Sequence, residues 1–381
     1  MAMTYAAAWF CFFLTFLNLI SIGIAVIRAR PRPTPLPPPR AAPGVSVVRP
    51  LCGLDNFCEE TLESSFRLDY PSYESIFCVA RPGDPVLPLV RCLFAKHPDR
   101  PARLIVGDEK ASPNPKLNNC VRGWDAAPPP HDWIILADAN VLMPKDYIQR
   151  LLASWRRRTG LVCSMPLGSR PGNLWAELEC AFLNTFEARW QYCAEAMGLG
   201  FAQGKNMLWR RDILEAGGGI RALGAEIAED AAATKLVRRQ GLAVNLVDSP
   251  FEQPLGFRDF RDVWLRQLRW ARMRRKTFPL FYAFEIVAGA GLPCMAAAYA
   301  AWMLDLNAAA AALGVALTWF GPEALLARQN KWHFSWRMPL LFVLRDVMLP
   351  VIYIDAWCMD HFVWHGNEMT MREEEPSVEQ G

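Results

Sequence analysis

The amino-acid sequence predicts an α/β protein, a mostly parallel sheet with flanking helices, joined to apolar segments that reach a membrane. Three observations lead there. Short β-branched runs alternate with helix-patterned stretches through the middle of the chain, residues 5–27 carry no charge, and long apolar stretches return after Lys276. Alternation of this kind builds βαβ units, whose crossover helices impose parallel pairing.

The membrane part follows from composition and patterning. Of 381 residues, 52% are hydrophobic and 21% charged, so some apolar surface faces lipid. A net charge of +3, evenly spread, excludes a nucleic-acid partner; the basic residues collect beside the apolar stretches and point to a membrane surface. The 11 cysteines form no Cys-x-x-Cys pair and no histidine stands at metal-ligand spacing, so neither a zinc site nor a disulfide framework is indicated and a reducing compartment fits.

Residues 5–27 are long enough to cross the hydrocarbon core. A cleaved signal peptide would be basic before its apolar run, whereas here Arg28, Arg30 and Arg32 follow it. The positive-inside rule then puts the N-terminus outside and the following domain in the cytoplasm. The proline-rich residues 31–43 read as a stiff spacer lifting that domain off the bilayer.

Strands are expected at 45–48, 75–79, 103–106, 134–137 and 161–163, with helices at 58–66, 84–96 and 117–124 between them. Parallel sheets bind ligands at the carboxyl ends of their strands, so the polar residues there are the first site candidates. Past Lys276, the stretches 286–304, 308–327 and 338–357 are expected to return to the membrane as a multi-pass protein. Arg328, Lys331 and Arg337 mark a cytoplasmic loop, and Arg345 and Asp346 inside the last stretch must pair or face protein. The organisation is thus an anchor (1–27), a Pro/Arg-rich linker (28–43), a catalytic domain (44–256), an interfacial helix (257–276), C-terminal membrane segments (277–365) and an acidic tail (366–381).

Three clusters carry chemistry. Asp138-Ala139-Asn140 follows the strand at 134–137, and a carboxylate with a second oxygen two residues on can hold Mg²⁺ or Mn²⁺ against a diphosphate. The same tripeptide also serves as a turn or helix cap. Glu229-Asp230 opens a helix-like stretch, where ionised acids are favoured; Asp230 is the candidate general base, and helix-start stabilisation is the plainer use. Arg266-x-x-Arg269-Trp270 puts two guanidiniums on one face of an amphipathic stretch, suited to gripping phosphate oxygens of a nucleotide or of lipid headgroups.

Together with the runs at 45–55, 68–74 and 114–119, these motifs resemble the ceramide glucosyltransferases, membrane-bound relatives of cellulose and hyaluronan synthases, over nearly the whole chain. The resemblance implies a GT-A glycosyltransferase fold with a UDP-sugar donor and a divalent cation. It implies Pro50, Asp55 and Asp84 near the nucleotide, Lys116 and Asn118 lining the donor pocket, Asp138 with Asn140 at the metal, and Asp230 as catalytic base. Arg266, Arg269 and Trp270 would hold the departing UDP, and residues 200–207 would form the acceptor side. The implied reaction is inverting transfer of glucose from UDP-glucose to ceramide; alternatives with the same motifs are a hopanoid glycosyltransferase or a ceramide transferase using UDP-galactose or UDP-glucuronate. A non-catalytic membrane scaffold would be expected to lose Asp230 or Arg269, and a transporter to lack a large βαβ domain. Two departures stand out: Ala80-Arg81-Pro82-Gly83-Asp84 keeps one acid where the relatives have a cluster, and the metal motif ends in Asn140 instead of a second aspartate.

Overall fold

Strand β1 (Val45–Leu51) is buried along its whole length, as a central parallel strand must be when helices cover both faces. The computed structural model containing it describes residues 1–31, 34–359, 361–364 and 367–370, the last two stretches by backbone alone. Arg32 and most of the expected acidic tail lie outside the described residues.

β1 pairs in parallel with β2 (Tyr73–Val79) and β4 (Trp133–Ala137), and β2 with β3 (Ala102–Val106). Further along the sheet, β5 (Thr159–Cys163) runs parallel to β8 (Ala243–Leu246). Between these two parallel blocks β7 (Asn206–Arg210) enters antiparallel to both β4 and β5, giving the order β3-β2-β1-β4-β7-β5-β8. β6 (Pro166–Pro171) and β9 (Phe251–Gly256) form a separate parallel ladder. The five strands and three helices expected from periodicity are present; the antiparallel insertion was not expected. Past the last helix, β10 (His361–Trp364) and β11 (Asn367–Thr370) pair antiparallel.

The helix Pro115–Ala126 covers one face of the sheet. It lies so close to β1 that a Cβ on Gly123 would stand 2.2 Å from Val48 Cγ1, which is why glycine occupies that turn. On the same side the core takes in Ile22, Ala25 and Ala29 from the N-terminal helix Ala2–Arg28. Arg28 pairs with Glu195 at 2.7 Å and donates to Leu246 O at 3.2 Å. The anchor therefore packs directly on the sheet domain, which corrects the spacer expectation for residues 31–43. Residues 36–43 instead lie along the domain, with Leu36 N–H donating to Asp146 and Tyr70 O–H to Pro43 O. Burying the anchor's end gives apolar contact that a standoff would forgo.

Among the described residues, two helices are long and apolar enough to cross a membrane, Ala2–Arg28 and Ala308–Gln329. The expected segment 286–304 is broken: Pro279–Val287 and Gly291–Met303 meet at a 44° bend. The helix Met338–Cys358 carries Arg345 and Asp346 fully or nearly buried. Arg345 pairs with Glu323 of the preceding helix at 2.9 Å and with Asp346 at 2.7 Å, and Arg189 meets the same Glu323 at 3.1 Å. Two cations and two acids close a neutral buried set, satisfying the pairing that such charges require.

Candidate active site

The site is built where the antiparallel strand enters the sheet. β4 delivers Asp138 at its carboxyl end, and because Ala137 registers with Asn206, the residue before β7, Lys205, arrives beside it. The backbone extends this ladder one step, with Asp138 N–H donating to Lys205 O at 3.0 Å. Lys205 Nζ then lies 2.9 Å from Asp138 Oδ2 and donates to Asn140 Oδ1 at 3.1 Å.

Lys116 reaches the other Asp138 oxygen. It sits in the first turn of the helix Pro115–Ala126, whose start is fixed by the Asn114 side chain accepting from Lys116 N–H and Leu117 N–H. Its Nζ contacts Asp138 Oδ1 at 2.6 Å, Glu229 Oε1 at 2.6 Å and Gly204 O at 2.8 Å. Asn114 Nδ2 donates to the second Glu229 oxygen at 2.9 Å. Gly204 N–H donates to Asp230 Oδ2 at 3.0 Å, so a single residue connects the lysine that holds Asp138 to the candidate base. Gly204 has no room for a side chain there, since a Cβ would fall 2.7 Å from Glu229 Oε1.

These neighbours divide the two aspartates electrostatically. Burial alone would raise Asp138, but Lys116 and Lys205 outweigh it and hold the carboxyl at about 2. Asp230 goes the other way: burial first, and the Glu229 charge second, push it up to about 6, against the pull of Lys116 and the Gly204 N–H. The surroundings thus favour the ionised form of Asp138 and disfavour that of Asp230, a split suited to an electrostatic anchor and a proton acceptor.

Arg49 fixes the Asp138 loop from beneath. Fully buried in β1, it donates to the carbonyls of Asp138, Ala139 and Val141 at 2.9, 2.7 and 3.2 Å, and to Thr61 O at 2.9 Å. Burial lowers this guanidinium to about 10, and the loop carbonyls receive its charge. Arg49 lies within the 45–55 run, but the local sequence gives an arginine inside an apolar strand no role, because its partners lie elsewhere in the chain.

Of the residues expected near the nucleotide, Asp84 accepts from Gly53 N–H at 3.0 Å and Val86 N–H at 3.0 Å, tying the loop after β2 to the loop after β1. Gly53 has φ +68°, which glycine alone adopts freely. Pro50 is buried within β1. Asp55 is exposed and bonds Arg258 at 3.2 Å. Asn118 braces the 111–112 loop, accepting from Ala111 and Ser112 N–H and donating to Ser112 O.

The helix Phe260–Thr277, opened by a reciprocal Asp259/Asp262 capping box, carries both arginines, and of the two it is Arg266 that lies near Asp138. Arg266 is close enough to Asp55 and Asp138 for both carboxylates to favour its charge, though burial and Arg269 lower it to about 10. It pairs with Glu179, a buried acid the sequence did not single out, and its guanidinium lies 5.9 Å from the Trp270 ring centroid. Arg269 differs: it is half-buried, lowered by burial, and among the described residues has no hydrogen-bond or ion-pair partner. A half-buried guanidinium without a partner among the described residues, beside a second one, is suited to receive an anion.

The donor set also suits a hard divalent ion. Asp138 and Asn140 direct two oxygens at one cationic point, now the Lys205 ammonium, and a diphosphate and water could complete a shell there. Among the described residues no three or more His, Cys, Asp or Glu side chains form a self-sufficient metal cluster.

The model for glycosyl transferase family 21 matches residues 13–376. The chain belongs to that family. Within family 21's neighbourhood it is similar to ceramide glucosyltransferase 3 of Caenorhabditis elegans, at 25% identity over 332 residues covering 85% of this chain and 72% of that one. It is also similar to ceramide glucosyltransferase 1 of the same organism, at 25% over 371 residues, 95% and 78% of the two chains. Among solved structures, a mannosyltransferase from Pyrobaculum calidifontis in complex with GDP-Man and Mn²⁺ superposes with a TM-score of 0.52 at 19% identity, covering 91% of this chain and 98% of that one. The family 21 protein is therefore a glycosyltransferase of the GT-A type fold, as expected from the sequence motifs.

Proposed function

We propose that this protein transfers glucose from UDP-glucose to the primary hydroxyl of ceramide, with inversion, giving β-glucosylceramide at the cytoplasmic membrane surface. The observation that carries the reading is the short bridge from Asp138 through Lys116 and Gly204 to Asp230, which sets a diphosphate-facing charge cluster directly beside a base poised near neutrality. Family membership and the ceramide glucosyltransferase relatives supply the acceptor class.

The chain's own groups account for each part of the reaction. Asp230 accepts the proton of the acceptor hydroxyl as that oxygen bonds to the anomeric carbon, and the bond from that carbon to the UDP oxygen breaks on the opposite face. Arg269 and the Lys205 ammonium take up the negative charge left on UDP, while Lys116 holds Asp138 and Glu229 in place. A Mg²⁺ or Mn²⁺ ion held by Asp138 and Asn140 would add Lewis-acid neutralisation of the same diphosphate. The helix Phe260–Thr277 and the apolar helices beyond it keep this edge level with lipid, so the acceptor reacts without leaving the bilayer.

The test is purified protein in lipid nanodiscs, supplied with UDP-glucose, UDP-galactose or UDP-glucuronate and with ceramide or a hopanoid, followed by mass spectrometry and NMR of the product. β-Glucosylceramide is the expected product. A different glycolipid, or an α-linkage, would overturn the assignment.

A further inference from the structure

The two lysines at Asp138 are not equivalent. Lys116 is locked by three acceptors on three segments, Asp138, Glu229 and Gly204 O, and letting go would leave the buried Glu229 without its cation and a carbonyl without its donor. Among the described residues, Lys205 Nζ contacts just the two oxygens suited to a divalent ion, Asp138 Oδ2 and Asn140 Oδ1. It stands where a cation belongs, and asparagine occupies the position at which a second acid would have strengthened a metal's hold. Its side chain is a charged group on a flexible four-carbon stem, able to leave one anion for another.

We propose that Lys205 is a built-in, exchangeable cation at the diphosphate position. With no donor present it neutralises Asp138 and excludes a divalent ion. When a nucleoside diphosphate arrives, the ammonium moves from the carboxylate to the phosphate oxygens and leaves Asp138 and Asn140 open to a metal that comes with the donor. Two consequences follow: the nucleotide-free protein binds Mn²⁺ weakly, and UDP binds appreciably without any metal. The inference rests on the proposed nucleotide-sugar donor, but neither consequence involves the acceptor or turnover.

The experiment uses the full-length protein in nanodiscs, with Lys205→Gln, which drops the charge and keeps a hydrogen-bonding group, and Lys205→Met as a second variant. Mn²⁺ binding without nucleotide is read from the electron paramagnetic resonance signal of free Mn²⁺, and UDP binding in EDTA by calorimetry. Removing a cation 2.9 Å from Asp138 should raise Mn²⁺ affinity at least about tenfold. Losing a charged phosphate contact should weaken UDP in EDTA at least about tenfold. Lys205→Arg should keep the UDP affinity within a few-fold. Variants matching wild type in either measurement would overturn the role of Lys205. Wild-type protein that binds no UDP under any condition would overturn the donor reading itself, a separate outcome.

Discussion

Arg269 and Arg266, three residues apart on one helix, should respond to truncation in opposite ways. Arg269→Ala removes a half-buried guanidinium with no partner among the described residues, so the free protein loses no contact that balanced its charge. Its melting temperature should stay the same or rise. If Arg269 receives the donor diphosphate, the same substitution removes a charge-assisted hydrogen bond of about 1.5–3 kcal/mol, so UDP affinity falls roughly 10- to 150-fold. Arg266→Ala instead takes the nearer cation from Glu179, which is 1% exposed and among the described residues keeps Arg258 at 3.7 Å. Breaking a buried pair this way costs about 3–5 kcal/mol, and the remaining arginine puts the expected loss near the lower figure. Calorimetry with UDP and thermal unfolding, both in nanodiscs, read the two effects. Arg269→Ala with wild-type UDP affinity, or with a clearly lowered melting temperature, would refute the assignment of that guanidinium as an anion receptor.

Other perturbations are equally specific. Asp230→Asn should cut kcat by about 10²–10⁴ while UDP-glucose still binds, because only the proton acceptor is lost; a variant with full turnover would remove Asp230 from its role. The acid must be ionised to act and its pKa is raised to about 6, so kcat/KM should be flat above that value and fall about tenfold per pH unit below it; a profile flat down to pH 4 would contradict the assignment. Gly123→Ala forces a methyl group against Val48 and should destabilise the sheet domain by about 1–3 kcal/mol in chemical denaturation, with the donor site otherwise unaltered.

The sequence carried the parallel strands because central strands are apolar on both faces, and runs such as Val45-Ser46-Val47-Val48 and Ile134-Ile135-Leu136-Ala137 show this directly. Its motifs single out Asp138, Lys116, Asp230 and the arginine pair as candidates, and the structure brings Asp138, Asn140, Lys116 and Asp230 into one connected set. Lys205 was hidden for a topological reason. Only the antiparallel entry of β7 next to β4 places it at Asp138, and strand direction is a property of pairing that no local pattern encodes. Glu179 and Arg49 were hidden because their partners lie far off in the chain, at Arg266 and at the 138–141 loop. The spacer reading of residues 31–43 failed similarly: proline content predicts an extended conformation, but not that the anchor's own end, through Ala25 and Ala29, would be buried in the sheet domain's core.

The central claim is that a nucleoside diphosphate binds between the Asp138 cluster and Arg269, with Asp230 facing the sugar. An electron cryomicroscopy structure of the protein in nanodiscs with UDP and Mn²⁺ tests it most directly. Density for the two phosphates within hydrogen-bond reach of Arg269 and Lys205, and an open path from Asp230 to the bilayer, is the expected result. UDP seated elsewhere, with Lys205 still on Asp138 and Arg269 empty, would contradict it.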